Sequence, residues 1–482
     1  MSAGGSHLVI GGELVPGKGE PIVDIDPATG EEFATVDSAS LEQVDAAVEA
    51  ARAALGGEWG RMDSFERRRR IERFADAVIE HAMDIGTLST SEVGMPMRYS
   101  VGEVLAASDY LRHFAGHADK VRGAVVPTPV AGDLTYTLRQ PVGVVAAITA
   151  WNVPSMLTAF KLGPALAAGC SVVLKPAELA PLASRAYAEL AIEAGLPAGV
   201  LNCVTGGPDV GSHLVSHPGV DKITFTGGTE IGRRIATAAA QSFKRITLEL
   251  GGKSANIVFA DADLDAAVDG ACRAVFLFSG QQCIAGSRLF VQQPIFDEFV
   301  ERYVAASSEW APGDPTSFDT ATGPVISAAA VERIQRYVDG AVAAGATVHC
   351  GGAPLRDGIY ARGSWYPPTI LTGVPAGDPL CTDEIFGPVV SVQPFETEDE
   401  VVAAANASSF GLAGGLWTRD LSRAHRVAAA VHTGTMWVNT YSAVTPGAPF
   451  GGVGNSGMGR EGGIEAVHAF TEVKTVHIGG IT

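Results

Sequence analysis

No CxxC pair occurs in this chain, and its six cysteines, at 170, 203, 272, 283, 350 and 381, are scattered over 482 residues. That pattern excludes a zinc ribbon and argues against a disulfide scaffold, so a reducing cytoplasm is the expected setting. Basic residues are scarce beside acidic ones, 34 against 53 for a net charge of −19. This balance argues against nucleic acid or an anionic membrane as a partner. Long apolar runs are missing too. The most apolar stretch, Val142 to Leu174, is broken by Trp151-Asn152, Pro154, Lys161 and Pro164, leaving no run of the ~18 residues that a membrane span needs. The first residues, Met-Ser-Ala-Gly-Gly-Ser-His, lack a basic region followed by an apolar core, so no secretory leader is expected. There is no internal repeat, no low-complexity segment and no G-x-G-x-x-G after a predicted strand. Nor is there a His/Cys/carboxylate cluster at metal-ligand spacing. Asp261-Ala-Asp263-Leu-Asp265 opens like a calcium loop, but Ala266 and Cys272 stand where Gly and Glu are required. These aspartates are expected to cap a helix from about Leu264 instead.

What is present fits a large globular chain. Hydrophobic content of 46% with 18% charged residues suits a sizeable interior, and the length suggests about two to four domains. Helical and strand-like segments alternate, which predicts an α/β chain with largely parallel sheets. Ser40-Leu-Glu-Gln43 reads as a capping box leading a helix with Val44, Ala47, Val48, Ala51 and Leu55 on one face. A second helix is expected to bury Ile71, Phe74, Val78, Ile79 and Ala82, with Arg67–Arg70 as a solvated face rather than a phosphate site. Gly143–Thr149, Cys170–Leu174 and Asp221–Thr226 read as buried strands. Asp133–Arg139 and Thr471–Ile478 alternate at period two, as strands in need of a partner sheet. A change of domain is expected at Gly251-Gly252.

Two short segments carry the chemistry. Glu249-Leu-Gly-Gly-Lys253 and Gly280-Gln-Gln-Cys283, with Cys283 34 residues beyond Glu249, supply a nucleophile and a base, enough for a covalent acyl mechanism. Glu249 lies between Leu248 and Leu250, so partial burial should raise its pKa towards that of a useful base. Phe225-Thr-Gly-Gly-Thr-Glu-Ile-Gly232 sits at a strand-to-helix turn whose backbone N–H groups can receive pyrophosphate. Alone it reads more readily as a tight connection, and Gly206-Gly-Pro-Asp-Val-Gly211 is a similar string.

Taken together, these segments resemble the NAD(P)-dependent aldehyde dehydrogenase superfamily, with further matches in order from about residue 8 to residue 478. The resemblance implies a Rossmann-type cofactor domain (1–122 and 142–250), an α/β catalytic domain (251–455) and a small β oligomerisation arm (123–141 and 466–482). Cys283 would attack the aldehyde carbon as thiolate. Asn152, in Trp151-Asn-Val-Pro154, would stabilise the oxyanion together with the Cys283 N–H, and Glu249 would activate the hydrolytic water. Glu461 would either relay protons outward or serve structurally.

On the cofactor side the resemblance points to Trp151, Lys175, Glu178, Gly227, Gly228, Gly232, Glu384 and Phe386. Glu178 can accept from both adenosine ribose hydroxyls and repel a 2′-phosphate, so NAD is favoured over NADP. Gly228 replaces the family's serine, shifting phosphate contacts to the backbone, and Gly454 replaces a lysine found in many relatives. The flanking segments supply Val153, Leu157, Phe160, Leu277, Ile284, Val444 and Phe450 to the aldehyde tunnel. None is cationic, and they offer no cage for an ammonium group, so an apolar aldehyde (medium-chain aliphatic, terpenoid or aromatic) is expected. A homo-oligomer, dimer or tetramer, is implied. The rival readings are a CoA-acylating dehydrogenase, which would not need Glu249, and a non-catalytic protein that keeps the fold.

Overall fold

The computed structural model describes residues 7–480. Met1–Ser6, read above for a leader, and the last two residues of the expected arm lie outside the described residues. An 8-stranded sheet runs in the order Glu13–Val15, Leu8–Ile10, Leu201–Cys203, Ser171–Lys175, Val144–Ile148, Lys222–Thr226, Arg245–Glu249, Gly457–Met458. The strands from Leu201–Cys203 to Arg245–Glu249 are parallel. Those at Val144, Ser171 and Lys222 are buried along their whole length, as parallel strands covered on both faces must be.

Chain order reverses in this sheet. It runs outward from Val144–Ile148 through Ser171–Lys175 to Leu201–Cys203, then resumes on the other side with Lys222–Thr226. A crevice therefore opens beyond the carboxyl ends of Val144–Ile148 and Lys222–Thr226, the position where open α/β sheets bind ligands. Ala150–Asn152 follow the first of these strands and Gly227-Gly228 follow the second.

A 7-stranded sheet is ordered Thr347–Cys350, Thr369–Thr372, Val389–Phe395, Arg288–Gln292, Ala255–Val258, Ala413–Trp417, Thr435–Val438. All its pairs are parallel except the first. The chain crosses from one sheet to the other between Glu249 and Ala255, through Gly251-Gly252. The short strand Gly457–Met458 then returns beside Glu249, with Gly457 opposite it.

The two alternating segments find each other. Thr471–Ile478 pairs antiparallel with Leu134–Pro141 over eight positions, from Thr471 opposite Pro141 to Ile478 opposite Leu134. Val125–Val126 covers the far side of Leu134–Pro141. Thr471–Ile478 is thus an outer strand of a 3-stranded sheet.

The capping box at Ser40 and Gln43 forms at the head of the Leu41–Gly56 helix. The second expected helix ends at Glu80, so Ala82 begins another, and Ile79 is 38% exposed rather than buried. Arg67 also departs from the expected solvated face. It lies 5.5 Å from the Trp59 ring and donates to the Met62 carbonyl, while Arg68, Arg69 and Arg70 pair with Glu72 and Glu66. Asp263 caps the helix Leu264–Phe276, and Asp261 accepts from Thr418 and Arg423. Among the described residues no helix is long and apolar enough to cross a membrane, and no group of three or more His, Cys, Asp or Glu could hold a metal.

Candidate active site

Cys283 is delivered by a strained turn. Phe278, Ser279 and Gly280 all have left-handed backbones, with φ of 54°, 56° and 71°, a conformation that costs a non-glycine residue energy and persists only where its surroundings hold it. The holding contacts are local: the Ser279 hydroxyl donates to the Gly323 carbonyl at 2.8 Å. A Cβ on Gly280 would lie 2.1 Å from the Gly387 carbonyl oxygen. Cys283 is half-buried. Burial first, then the nearby carboxylates of Glu384 and Glu249, push its thiol well above the ordinary value. Deprotonation here therefore needs a base or a change in the local field.

Glu249 ends the last parallel strand of the first sheet and is 4% exposed. Neither of its carboxylate oxygens has a hydrogen-bond partner among the described residues. Burial, reinforced by Glu461, holds its pKa well above the carboxylate range, against an opposing pull from Lys161. A Cβ on Gly451 would meet Glu249 Oε1 at 2.5 Å, so glycine there is what admits the carboxylate.

Behind Glu249 lies a buried ion pair. Lys161 Nζ is 2.8 Å from Glu461 Oε1 and donates to Thr226 Oγ1 at 2.8 Å. The Thr224 hydroxyl donates to the same Glu461 oxygen at 3.2 Å. Alternation along Lys222–Thr226 puts both threonines on one face of the strand. A buried pair of charges is tolerable only when such extra hydrogen bonds complete it.

Asn152 Nδ2 donates to the Gln281 carbonyl at 2.9 Å, which ties it to the Cys283 loop. The diglycine has a steric reason. A Cβ on Gly251 would sit 2.3 Å from Glu384 Oε2, and one on Gly252 would sit 2.2 Å from the Cys283 carbonyl oxygen. Glu384 Oε1 accepts from the Gly252 N–H at 3.1 Å. Burial raises Glu384 to about 7, moderated by that bond and by Lys253 and Arg333.

These groups share one cavity of about 520 Å³. Its wall includes Cys283, Glu249, Asn152, Glu461, Trp151, Gly227, Gly228, Glu384 and Phe386. Every expected tunnel residue is there too: Val153, Leu157, Phe160, Leu277, Ile284, Val444 and Phe450. The profile described as the aldehyde dehydrogenase family matches residues 14–476. The chain belongs to the aldehyde dehydrogenase family. A betaine aldehyde dehydrogenase of Cereibacter sphaeroides is 42% identical, over 98% of this chain and 97% of its own length. A solved aldehyde dehydrogenase from Brucella melitensis biovar abortus 2308 superposes with TM-score 0.94 at 40% identity, covering 98% and 97% of the two chains. A structure of PnpE in complex with nicotinamide adenine dinucleotide gives TM-score 0.96 and 43% identity, covering 98% and 97%; PnpE from Pseudomonas sp. WBC-3 is similar as well.

Three expected cofactor residues of this aldehyde dehydrogenase lie outside the cavity wall. Lys175 and Glu178 stand beyond the neighbouring strand, their charges 3.5 Å apart, with Lys175 buried and Glu178 part-exposed. Gly232 packs on Leu250, whose side chain a Cβ would meet at 2.3 Å. Gly228 caps the helix Thr229–Ala240 with open space around it, so a serine would fit and the glycine is not sterically required. Lys161 was missed as a site residue, although a lone lysine in so apolar a stretch was a visible signal. Met156, Phe278 and Ser442, which join the wall, sit within or beside the expected tunnel segments, whereas Arg333 reaches it from the helix Ala328–Ala343, which carried no signal.

Proposed function

We propose that this enzyme oxidises an apolar aldehyde to its carboxylic acid with NAD, through a thioester on Cys283. The observation that carries the reading is the single cavity in which Cys283, Asn152 and Glu249 meet, walled by Val153, Leu157, Phe160, Ile284 and Val444. The fit to a dinucleotide rests on two features. The helix Thr229–Ala240 starts at Gly228 with no side-chain cap, leaving its first backbone N–H groups for phosphate while the Gly227 N–H is held by the Glu249 carbonyl. Glu384 stands free of any Cβ at Gly251 to meet a ribose hydroxyl. Glu178 favours NAD over NADP by its charge.

Cys283, its thiol proton released to solvent, attacks the carbonyl carbon as thiolate, and the oxyanion that forms takes hydrogen bonds from Asn152 Nδ2 and the Cys283 N–H. When bound, NAD supplies the acceptor for the hydride. Glu249 then removes a proton from the water that hydrolyses the thioester. Glu461 lines the same cavity as Glu249 and pairs with Lys161, so the Lys161–Glu461 pair is the candidate to take that proton onward. The base separates this reading from a CoA-acylating enzyme.

The arm sheet supports a homo-oligomer, since an outer strand like Thr471–Ile478 is a site for further pairing. The unpaired cysteines suit a cytoplasmic setting. The test is a kcat/KM panel of hexanal, benzaldehyde, citral, succinic semialdehyde and betaine aldehyde, with and without CoA. Preference for betaine aldehyde or the semialdehyde would overturn the apolar assignment, and dependence on CoA would overturn hydrolysis.

A further inference from the structure

Helix Pro154–Ala168 starts in an unusual way. Pro154 occupies its first turn and the N-cap residue, Val153, gives no side-chain bond. The first amides of a helix need acceptors from elsewhere. They find one on another helix. Glu103, in Met97–Ala115, is 8% exposed, and its Oε1 accepts from the Met156 N–H at 2.8 Å. The Pro154 carbonyl is held as well, accepting from Thr158 Oγ1 at 2.7 Å and from Ser184 Oγ, on helix Pro181–Glu193, at 3.2 Å. The first turn is thus tied to two neighbouring helices. Asn152 lies immediately before the N-cap, and its amide reaches the Gln281 carbonyl two residues ahead of Cys283.

We propose that Glu103 is a positioning residue for catalysis: by capping this helix from outside, it fixes Asn152 against the nucleophile loop. The proposal rests on the reading of Asn152 as oxyanion donor. Burial raises Glu103 to about 8 against the pull of the first-turn amides of this helix, which favours the neutral group near pH 7. A neutral carboxyl oxygen still accepts from Met156, and the amide of a glutamine offers the same acceptor at the same reach.

The experiment measures the pre-steady-state NADH burst with hexanal in the full-length enzyme, per active site counted from burst amplitude. Glu103→Ala should slow the burst roughly 10- to 100-fold, the scale of a displaced or lost oxyanion donor, with KM for NAD changed less than about twofold. Glu103→Gln should stay within about threefold of wild type, a rescue that a generic core defect would not show. Added to Asn152→Ala, Glu103→Ala should cost less than about threefold more, since both act through one group. A burst within threefold of wild type in Glu103→Ala, or full additivity with Asn152→Ala, overturns the proposal. Should Glu103→Ala fail to fold, Glu103→Asp withdraws the carboxyl by one methylene and should slow the burst at least about fivefold; a wild-type burst there overturns it equally. An unimpaired burst in Asn152→Ala would overturn both this link and the reading beneath it. An impaired Asn152→Ala beside an unimpaired Glu103→Ala would sink the link alone.

Discussion

Two adjacent glycines should fail in different ways when each is replaced by alanine. A Cβ on Gly251 would stand 2.3 Å from Glu384 Oε2, where ordinary contact begins near 3.4 Å, so Glu384 must retreat by about 1 Å. That retreat breaks its bond to the Gly252 N–H. It also withdraws the carboxylate from the proposed ribose hydroxyl, a bond that with a charged group contributes roughly 1.5–3 kcal/mol, each 1.4 kcal/mol being about a factor of ten. Gly251→Ala should therefore raise KM for NAD some 10- to 100-fold while leaving the burst at saturating NAD nearly intact. At Gly252 the obstacle is backbone, the Cys283 carbonyl at 2.2 Å, which cannot swing aside. The nucleophile loop must shift instead, and a displacement of ~1 Å costs about 100-fold in chemistry. Overpacking should also cost about 1–3 kcal/mol of stability. Stopped-flow NADH formation across a range of NAD concentrations separates the two effects. An unchanged KM for NAD in Gly251→Ala, or an unchanged burst rate in Gly252→Ala, would refute the steric account of the diglycine.

Glu249→Gln should give one equivalent of NADH per site and then stall as the Cys283 acyl-enzyme, visible by intact-protein mass; full turnover would assign the base elsewhere. Because burial holds Glu249 above the carboxylate range, its base form grows as pH rises, so wild-type deacylation should speed up with pH, and single-turnover thioester hydrolysis that is flat from pH 5 to 9 would contradict this. Glu178→Gln should narrow the gap in kcat/KM between NAD and NADP, and a wild type indifferent to the 2′-phosphate would show that the carboxylate faces elsewhere. Deleting the chain after Glu472 removes most of the Thr471–Ile478 strand and should lower both solubility and oligomer order, whereas a wild type that scatters light as a clean monomer of ~50 kDa would refute strand-mediated assembly.

What could be read from the linear chain was whatever local chemistry repeats at short range. Ser40 with Gln43 announces its helix, apolar runs bounded by glycine announce the buried strands, and Gly-Gln-Gln-Cys marks the loop that meets Glu249 and Asn152 at the cavity. Partnership over distance could not be read this way. Alternation in Asp133–Arg139 and Thr471–Ile478 says that each has two unlike faces, but not that they pair with one another. Arg67 looked solvated because its neighbours are, yet the turn before its helix brings Trp59 beneath it. Lys161 and Glu461 are 300 positions apart, and nothing short of the folded sheet brings a lysine from one helix to that carboxylate. Glu103 likewise had no local signature, because the amides it serves belong to another helix.

Helix Pro154–Ala168 unites functions that are kept apart elsewhere in the molecule. Asn152 precedes it, Leu157 and Phe160 face the cavity, and Lys161 holds Glu461. Leu277, Ile284, Val444 and Phe450 line the same cavity outside any α-helix or strand. Drift in substrate preference across generations therefore has a cheap route and a guarded one. Val444, which adjoins neither Cys283 nor Glu249 nor Glu461, can change size with little disturbance to the proposed chemistry. Enlarging or trimming Leu157 or Phe160 tilts the rod that carries Lys161 and follows Asn152, while Ile284 adjoins Cys283 and Phe450 pairs with Glu461, so selection for a new aldehyde should sample Val444 first.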